Sequence, residues 1–463
     1  MGSHRHIQIK TRILSASRIR RAIYLVPLVA IILVGCRGRE YQWSAFSTEV
    51  ATGSVSYPLQ ISANRRYFVD QKRVPFLLHG DAAWSLISGL TKPEAEAYLE
   101  DRRDKGFNAV IVNLIEHKFK GPKNREGEEP FLVRGDFATP NEKYFEHADW
   151  VIRKAGEKGI LVILAPCYLG AEADEGWYEE VLANGVEKSA GYARYVASRY
   201  KNFDNVVWLL AGDRKPDRAT PHVRVMAAAI READGRHLVT AHLERDVSTR
   251  DVFSSDSWVD FNATYTGPVV YEKLLRDYNR TPTMPTILVE SYYEGEHGST
   301  PQRIRRQAYW ALLNGAAGQI IGNRFVWQFD PGWRSALGSP GNHAMVHLKA
   351  LFLSRRWYEM VPDSQLVAEG SGELGGYDYL AAARTVDGTT AIVYFPTPRT
   401  ILVNLSRIAG PQARALWFDP RTGQAALAGV FDTQRQAEFH PPGWEDWVLL
   451  LDSTSRYTSE SGQ

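Results

Sequence analysis

Two acids stand where this chain is best placed to do chemistry. Asp213 closes the apolar run Asn205-Val-Val-Trp-Leu-Leu-Ala-Gly-Asp213, and Glu290 closes Pro285-Thr-Ile-Leu-Val-Glu290. A short, near-continuous apolar run is the mark of a parallel strand buried on both faces. A carboxylate is costly to place where such a strand emerges, unless the site uses it. In a barrel of parallel strands, that end is where catalytic groups collect. Two acids converging there form the minimal apparatus for hydrolysing a glycosidic bond. One protonates the leaving oxygen, and the other attacks the anomeric carbon or activates a water. A separation of about 5–5.5 Å predicts retention of configuration, and about 6.5–9.5 Å predicts inversion. The plainer alternatives are an Asp213 that caps the next segment and a Glu290 held in a salt bridge, for example with Arg214.

Other polar and aromatic residues end strand-like runs and are candidates to bind substrate. Asp81 and Trp84 lie in His79-Gly-Asp-Ala-Ala-Trp84. Asp81 could bind a hydroxyl or cap the following helix, and Trp84 could stack on a sugar face or pack the rim. Asn113, with Glu116 and His117, ends the second run; His242 ends the fifth and Tyr265 the sixth. A lone histidine is often structural, and His242 has that reading too. Trp327-Gln328 follows the eighth run and suits an aromatic wall, whereas Glu294 and Glu296 follow in a loop and read as solvated. No cluster has metal-ligand spacing and no Gly-x-Ser-x-Gly elbow occurs, so neither a metal nor a cofactor is expected.

The elements that must position these residues alternate. Strand-like runs cover 75–81, 107–114, 159–166, 205–213, 237–242, 259–265, 285–290 and 318–327, with amphipathic stretches between them. Thr91-Lys-Pro-Glu94 opens one helix with a capping residue, Pro in the first turn and an early acid. Lys105-Gly106 and Lys158-Gly159 read as helix ends. Eight such units within residues 57–360 predict an α/β fold, a (β/α)8 TIM barrel, with residues 57–74 as a hairpin closing its bottom. A doubly wound sheet is the other option, but no glycine-rich phosphate loop follows any strand. After residue 360 the text turns to short β-type runs punctuated by Asp387-Gly, Thr422-Gly and Pro442-Gly, which predicts a β-sandwich over residues 361–453. Residues 454–463 read as a polar tail.

Composition is ordinary: 44% apolar, 23% charged and a net charge of only +2, so no nucleic-acid partner is implied. Aromatic residues are plentiful, with 13 Trp, 22 Tyr and 18 Phe, which suits both cores and sugar faces. The N-terminus reads as an address. Basic residues without an acid precede the apolar run from Tyr24, too short to span a bilayer but right for a signal peptide. The run ends Leu33-Val-Gly-Cys36, which resembles a bacterial lipobox. Residues 1–36 are therefore expected to be a lipoprotein signal with Cys36 the lipidated residue, and residues 37–56 a tether. That places the protein in a bacterial cell envelope, anchored by lipid and favouring the outer membrane. Cys167 reads as a buried thiol, and no disulfide is expected.

Taken together, several segments resemble the apiosidase-like proteins of glycoside hydrolase family 140. They include Phe76-Leu-Leu-His-Gly-Asp-Ala-Ala-Trp84, Lys105-Gly-Phe-Asn108, Val207-Trp-Leu-Leu-Ala-Gly-Asp-Arg-Lys-Pro216 and Glu290-Ser-Tyr-Tyr-Glu294. Gly315-Ala-Ala-Gly318, Trp417-Phe-Asp-Pro-Arg-Thr-Gly423 and Asp446-Trp-Val-Leu-Leu450 extend the likeness to nearly all of residues 57–452. The resemblance implies a TIM barrel with a small β-sandwich, and removal of apiose from pectin side chains. It places the family's catalytic Asp on Asp213, as acid/base, and its catalytic Glu on Glu290, as nucleophile. The chain departs from the family at Ala211 and Lys215, and at Val289 and Ser291 beside Glu290. Such C-terminal domains are sometimes labelled collagen-binding, a label these residues do not support. The expected partner is an oligosaccharide or polysaccharide substrate, cleaved by an exo-acting enzyme. The competing readings are a surface carbohydrate-binding lipoprotein with an inactive barrel, and an adhesion protein acting through the β-domain.

Overall fold

The computed structural model describes residues 41–45, 55–172 and 175–455. The signal-like segment and Cys36 lie outside the described residues, as do residues 456–463. Among the described residues no helix is long and apolar enough to cross a membrane.

Eight parallel strands form the central sheet: β1 (Leu78–Ala82), β2 (Ala109–Asn113), β3 (Leu161–Ala165), β4 (Val206–Ala211), β5 (Val239–His242), β6 (Asn262–Tyr265), β7 (Thr286–Glu290) and β8 (Gly318–Ile321). Neighbours in chain order pair, except β5 with β6, and β8 returns to pair with β1. The seam between β5 and β6 is held by the Asp260 amide donating to the Val239 carbonyl at 2.9 Å and by Thr240 Oγ1 donating to the Phe261 carbonyl at 2.7 Å. The sheet is thus a near-closed (β/α)8 barrel, the TIM architecture. The expected eighth strand is shorter than its apolar run: it stops at Ile321, and Asn323 begins a turn in which its Oδ1 accepts from the Phe325 amide at 3.0 Å.

Both faces of the strands are apolar because both are covered. In β4, Trp208 and Leu210 join the layer under the helices, while Val207 and Leu209 point into the barrel with Ile111, Ile163 and Ile287. Short strands Gln60–Ile61, Phe68–Val69 and Pro75–Phe76 close the barrel's lower end. Phe68 does this physically, its ring meeting Phe261 edge-on at 5.1 Å. The helices start as their sequences imply. Thr91 and Glu94 form a reciprocal capping box for Lys92–Asp104, and Thr300 caps Pro301–Leu313 by accepting from the Arg303 amide.

Residues after 360 form an antiparallel β-domain. Six of its strands, from Met360–Pro362 to Trp447–Ser453, make one sheet, and Val367–Glu369, Ile401–Asn404 and Gln436–Phe439 make a second. Side-chain alternation along Thr390–Phe395 shows how it is mounted. Ala391, Val393 and Phe395 face the small sheet, while Ile392 and Tyr394 face the barrel helices, where Tyr394 stacks on Tyr309 at 4.7 Å. Arg305, on the helix after β7, binds Asp446 with two bonds of 2.8 and 2.6 Å in a buried pair. The tether expected over residues 37–56 is not wholly free: Ser44–Ala45 pairs with Ala425 and Gln424 at the edge of the larger sheet.

Asp81 belongs to this scaffold rather than to a binding pocket. Its carboxylate is fully buried and accepts from Tyr98 at 2.8 Å and from Arg102 at 3.1 Å. Arg102 also donates to Asn342 Oδ1 and to the Leu337 carbonyl, tying β1 to the last barrel helix. Removing one partner of a buried pair strands the other charge, at about 3–5 kcal/mol. Asp81→Ala is therefore expected to lower unfolding stability by about that much while leaving the KM of the folded enzyme unchanged. Denaturant melts beside steady-state kinetics check it; unaltered stability with a raised KM would return Asp81 to the substrate site.

Candidate active site

The chain behind β4 folds into an unusual turn. Ala211, Gly212 and Asp213 all have positive φ, at 61°, 136° and 48°. Only glycine fits the middle position, because a Cβ on Gly212 would lie 2.3 Å from the Tyr168 ring. Aspartate tolerates the left-handed region better than most residues, and strain of this kind concentrates at functional sites. The turn lifts the Asp213 carboxyl off the strand axis and towards the barrel's centre.

Glu290 arrives by a different device. In β7, Ile287 and Val289 point into the barrel and Leu288 points out, so strict alternation would send Glu290 out as well. The β6–β7 register shifts here: Thr264 pairs with Leu288, but Tyr265 pairs with Glu290. The one-residue bulge re-aims the acid inward.

Between the two acids sits His242, at the end of β5 and 0% exposed. Its Nε2 is 2.8 Å from Glu290 Oε2, and its Nδ1 is 3.1 Å from the Asp213 amide and 3.3 Å from Asp213 Oδ1. Donor atoms of Asp213, His242 and Glu290 lie within 4.8 Å of one another. That spacing would suit a cation, and it is the one such grouping among the described residues. Both imidazole nitrogens are engaged, however, so no lone pair is left to offer a metal.

Tyr168, which follows β3, donates its hydroxyl to Asp213 Oδ2 at 2.7 Å. Trp84 packs against Tyr168 and His242, with ring centroids 5.5 and 5.6 Å away, and donates Nε1–H to the Tyr293 hydroxyl at 2.9 Å. Tyr265 flanks His242 at 5.4 Å. Phe119 bridges Tyr168 and Trp327, and Glu296 holds Trp327 by accepting its Nε1–H at 2.9 Å. Arg245 lies over the Tyr265 and Tyr292 rings at the pocket edge.

The electrostatics separate the two acids. Burial first, and the Glu290 charge second, push the Asp213 carboxyl up to about 7, against the pull of His242, Tyr168 and Arg245. A fifth of the Asp213 side chain stays open, the path by which a substrate oxygen could reach it. Burial opposes the His242 cation, but the Asp213 charge and the bond to Glu290 outweigh it and raise the imidazole. Burial holds the Tyr168 and Tyr293 hydroxyls protonated far above neutrality, so Tyr168 remains a donor.

A raised acid carries a stability cost with a definite sign. Between about pH 4 and 7 the folded state holds the Asp213 proton and the unfolded chain does not, so this group's contribution to stability falls as pH rises through that window. Asp213→Asn cannot ionise and keeps the left-handed turn. It is expected to be more stable than wild type by roughly 1–3 kcal/mol at pH 8, a partial share of the full shift because the side chain is not sealed, with the gap closing by about pH 4. Thermal melts across that range test it, and equal melting at pH 8 would mean the carboxyl is not raised.

Of the residues singled out from sequence, Asp213, Glu290, His242, Trp84, Tyr265 and Trp327 converge on this pocket. Trp84 and His242 are too buried to present a free face to substrate. Asn113 does not reach the pocket: it is buried beneath Trp84, whose carbonyl accepts its amide at 2.9 Å. Glu116 is buried nearby and His117 turns to Glu180. Glu294 is buried rather than solvated, its carboxylate accepting from Ser339 and from the Gly341 amide at the start of Pro340–Leu353. Arg214 stacks on Tyr178 at 3.7 Å. Tyr168, Tyr293 and Arg245 are the additions; the first two follow strand ends in sequence, and that was their only signal.

A near-closed (β/α)8 barrel with a facing Asp/Glu pair at its carboxyl-terminal end defines a glycoside-hydrolase type of protein. The chain belongs to the family described as Apiosidase-like, catalytic domain, whose model matches residues 62–359. Residues 361–452 match the model described as "Putative collagen-binding domain of a collagenase". A solved structure titled "Glycoside hydrolase" is 26% identical, covers 86% of this chain and 97% of its own, and superposes with a TM-score of 0.78. A glycoside hydrolase family 5 structure from Bacteroides vulgatus is 25% identical, with 86% and 94% covered and the same TM-score of 0.78. No curated protein matches the chain.

Proposed function

We propose that this chain is an exo-acting, apiosidase-like glycosidase that removes a terminal sugar from pectic or other polysaccharide side chains with retention of configuration. The observation that carries the proposal is the acid pair, with Asp213 raised to about 7 and donor atoms within 4.8 Å of Glu290. An approach this close between one oxygen of each acid favours the nearer, retaining arrangement over a gap wide enough to hold a water between the carboxyls. Asp213 protonates the leaving oxygen while Glu290 attacks the anomeric carbon. Burial is the larger cause that raises Asp213 and the Glu290 charge the second. Glycosylation of Glu290 removes that second cause, which favours ionisation of Asp213 and its taking a proton from the incoming water. Tyr168 fixes the acid's orientation by its hydroxyl. Tyr265 and Trp327 offer aromatic surface to the sugar, with Arg245 at the edge.

The family match supports the terminal, apiose-like sugar, and the lipobox-like segment ending in Cys36 supports an envelope-anchored enzyme. The test is to incubate the protein with a panel of pectic oligosaccharides and follow free monosaccharide. Release of one sugar supports the reading. Binding without release would favour a carbohydrate-binding lipoprotein.

A further inference from the structure

We infer that His242 is a two-sided positioning residue: its Nδ1 lone pair holds the strained Asp213 turn, and its Nε2–H orients Glu290, so that one neutral imidazole sets the geometry of both acids. The inference rests on the reading of Asp213 and Glu290 as acid and nucleophile.

The tautomer follows from the donors. A backbone N–H can only donate, and the Asp213 amide points at His242 Nδ1 from 3.1 Å. Nδ1 must therefore be bare when this bond is made. While Asp213 holds its proton, the charge that most raises the imidazole is absent, and the ring's one proton sits on Nε2, where Glu290 Oε2 accepts it at 2.8 Å. The same residue holds the turn a second time, since its carbonyl accepts from the Gly212 amide at 2.9 Å. Three successive residues of positive φ persist only where neighbours over-determine them, and two of the three amides end on His242. The imidazole is itself fixed: it is 0% exposed and packed between the Trp84 edge and the Tyr265 ring. No nitrogen is left over for substrate, which separates this role from sugar binding.

Two substitutions divide the imidazole's two jobs. In His242→Asn the side-chain oxygen falls near Nδ1 and can still accept from the Asp213 amide, but the reach to Glu290 is lost. In His242→Gln the terminal amide falls near Nε2 and can still donate to Glu290, but the acceptor for the turn is lost. His242→Asn should lose about tenfold, similarly on activated and natural substrates, the worth of one hydrogen bond to the nucleophile. His242→Gln should stay within a few-fold of wild type on an activated aryl glycoside, yet fall about 100-fold on a natural oligosaccharide, which needs the displaced acid. A third measurement needs no turnover: the 15N spectrum of labelled wild-type enzyme should show His242 bare at Nδ1 and protonated at Nε2. A proton on Nδ1 in the resting enzyme overturns the inference whatever the activity. Equal losses by the two variants on both substrates overturn it too, because simple packing damage ignores the leaving group. If wild type releases no sugar while the spectrum shows the expected tautomer, the clamp stands and the glycosidase reading fails.

Discussion

Glu290→Ala is expected to cut turnover of both an activated aryl glycoside and a natural oligosaccharide by roughly 10⁴- to 10⁶-fold, the scale on which a covalent nucleophile acts. The reason is geometric. A bulge in β7 turns this one carboxylate into the barrel, and His242 holds it at 2.8 Å. Among the described residues the other acids near these strand ends are committed elsewhere: Asp81 is sealed against Arg102, Glu294 caps a helix, and Glu175 accepts from the Ala171 amide. Leaving-group quality cannot rescue the variant, since the bond to the sugar is what is missing. An external nucleophile such as azide should restore part of the rate on the aryl glycoside and give a product of opposite anomeric configuration. Full activity in the variant would end the mechanism and leave the binding-protein reading ahead.

Asp213→Ala should behave differently on the two substrates. The loss should reach about 10²- to 10⁴-fold on a natural oligosaccharide, whose leaving oxygen needs a proton, and be small on an activated aryl glycoside, which departs without one. A carboxyl raised to about 7 holds its proton at neutral pH, which is what this role demands. The alkaline limb of kcat/KM should therefore fall near neutrality in wild type and vanish in the variant. The acids work as a unit, so the double variant should be little slower than Glu290→Ala alone. Equal losses on the two substrates would remove Asp213 as the acid.

The barrel was legible in the sequence because each strand is covered on both sides and so reads as a continuous apolar run. That same property hid which residues face inward. In β1, Leu78 and Ala82 enter the barrel interior, which sends Asp81 out under the helices to Arg102. A strand with two apolar faces carries no alternation from which to read that parity. Glu290 escapes the parity of its strand through a bulge, and Asp213 through three positive-φ residues, so both acids were identifiable by position but not by aim. The need for glycine at position 212 comes from the Tyr168 ring lying against it, a contact between strand ends far apart in sequence. Glu294 read as solvated because nothing nearby announces that Pro340–Leu353 would begin beside it.

The central claim is that Glu290 forms a covalent bond to the sugar while Asp213 serves it as acid and then base. The most direct measurement is intact-protein and peptide mass spectrometry after exposure to an activated 2-fluoro glycoside of the released sugar, which slows breakdown of a glycosyl-enzyme more than its formation. The account predicts a gain of one glycosyl unit on the peptide that contains Glu290, and no gain in Glu290→Ala. Turnover with no adduct at any stage, and a first-formed product of inverted configuration, would contradict it.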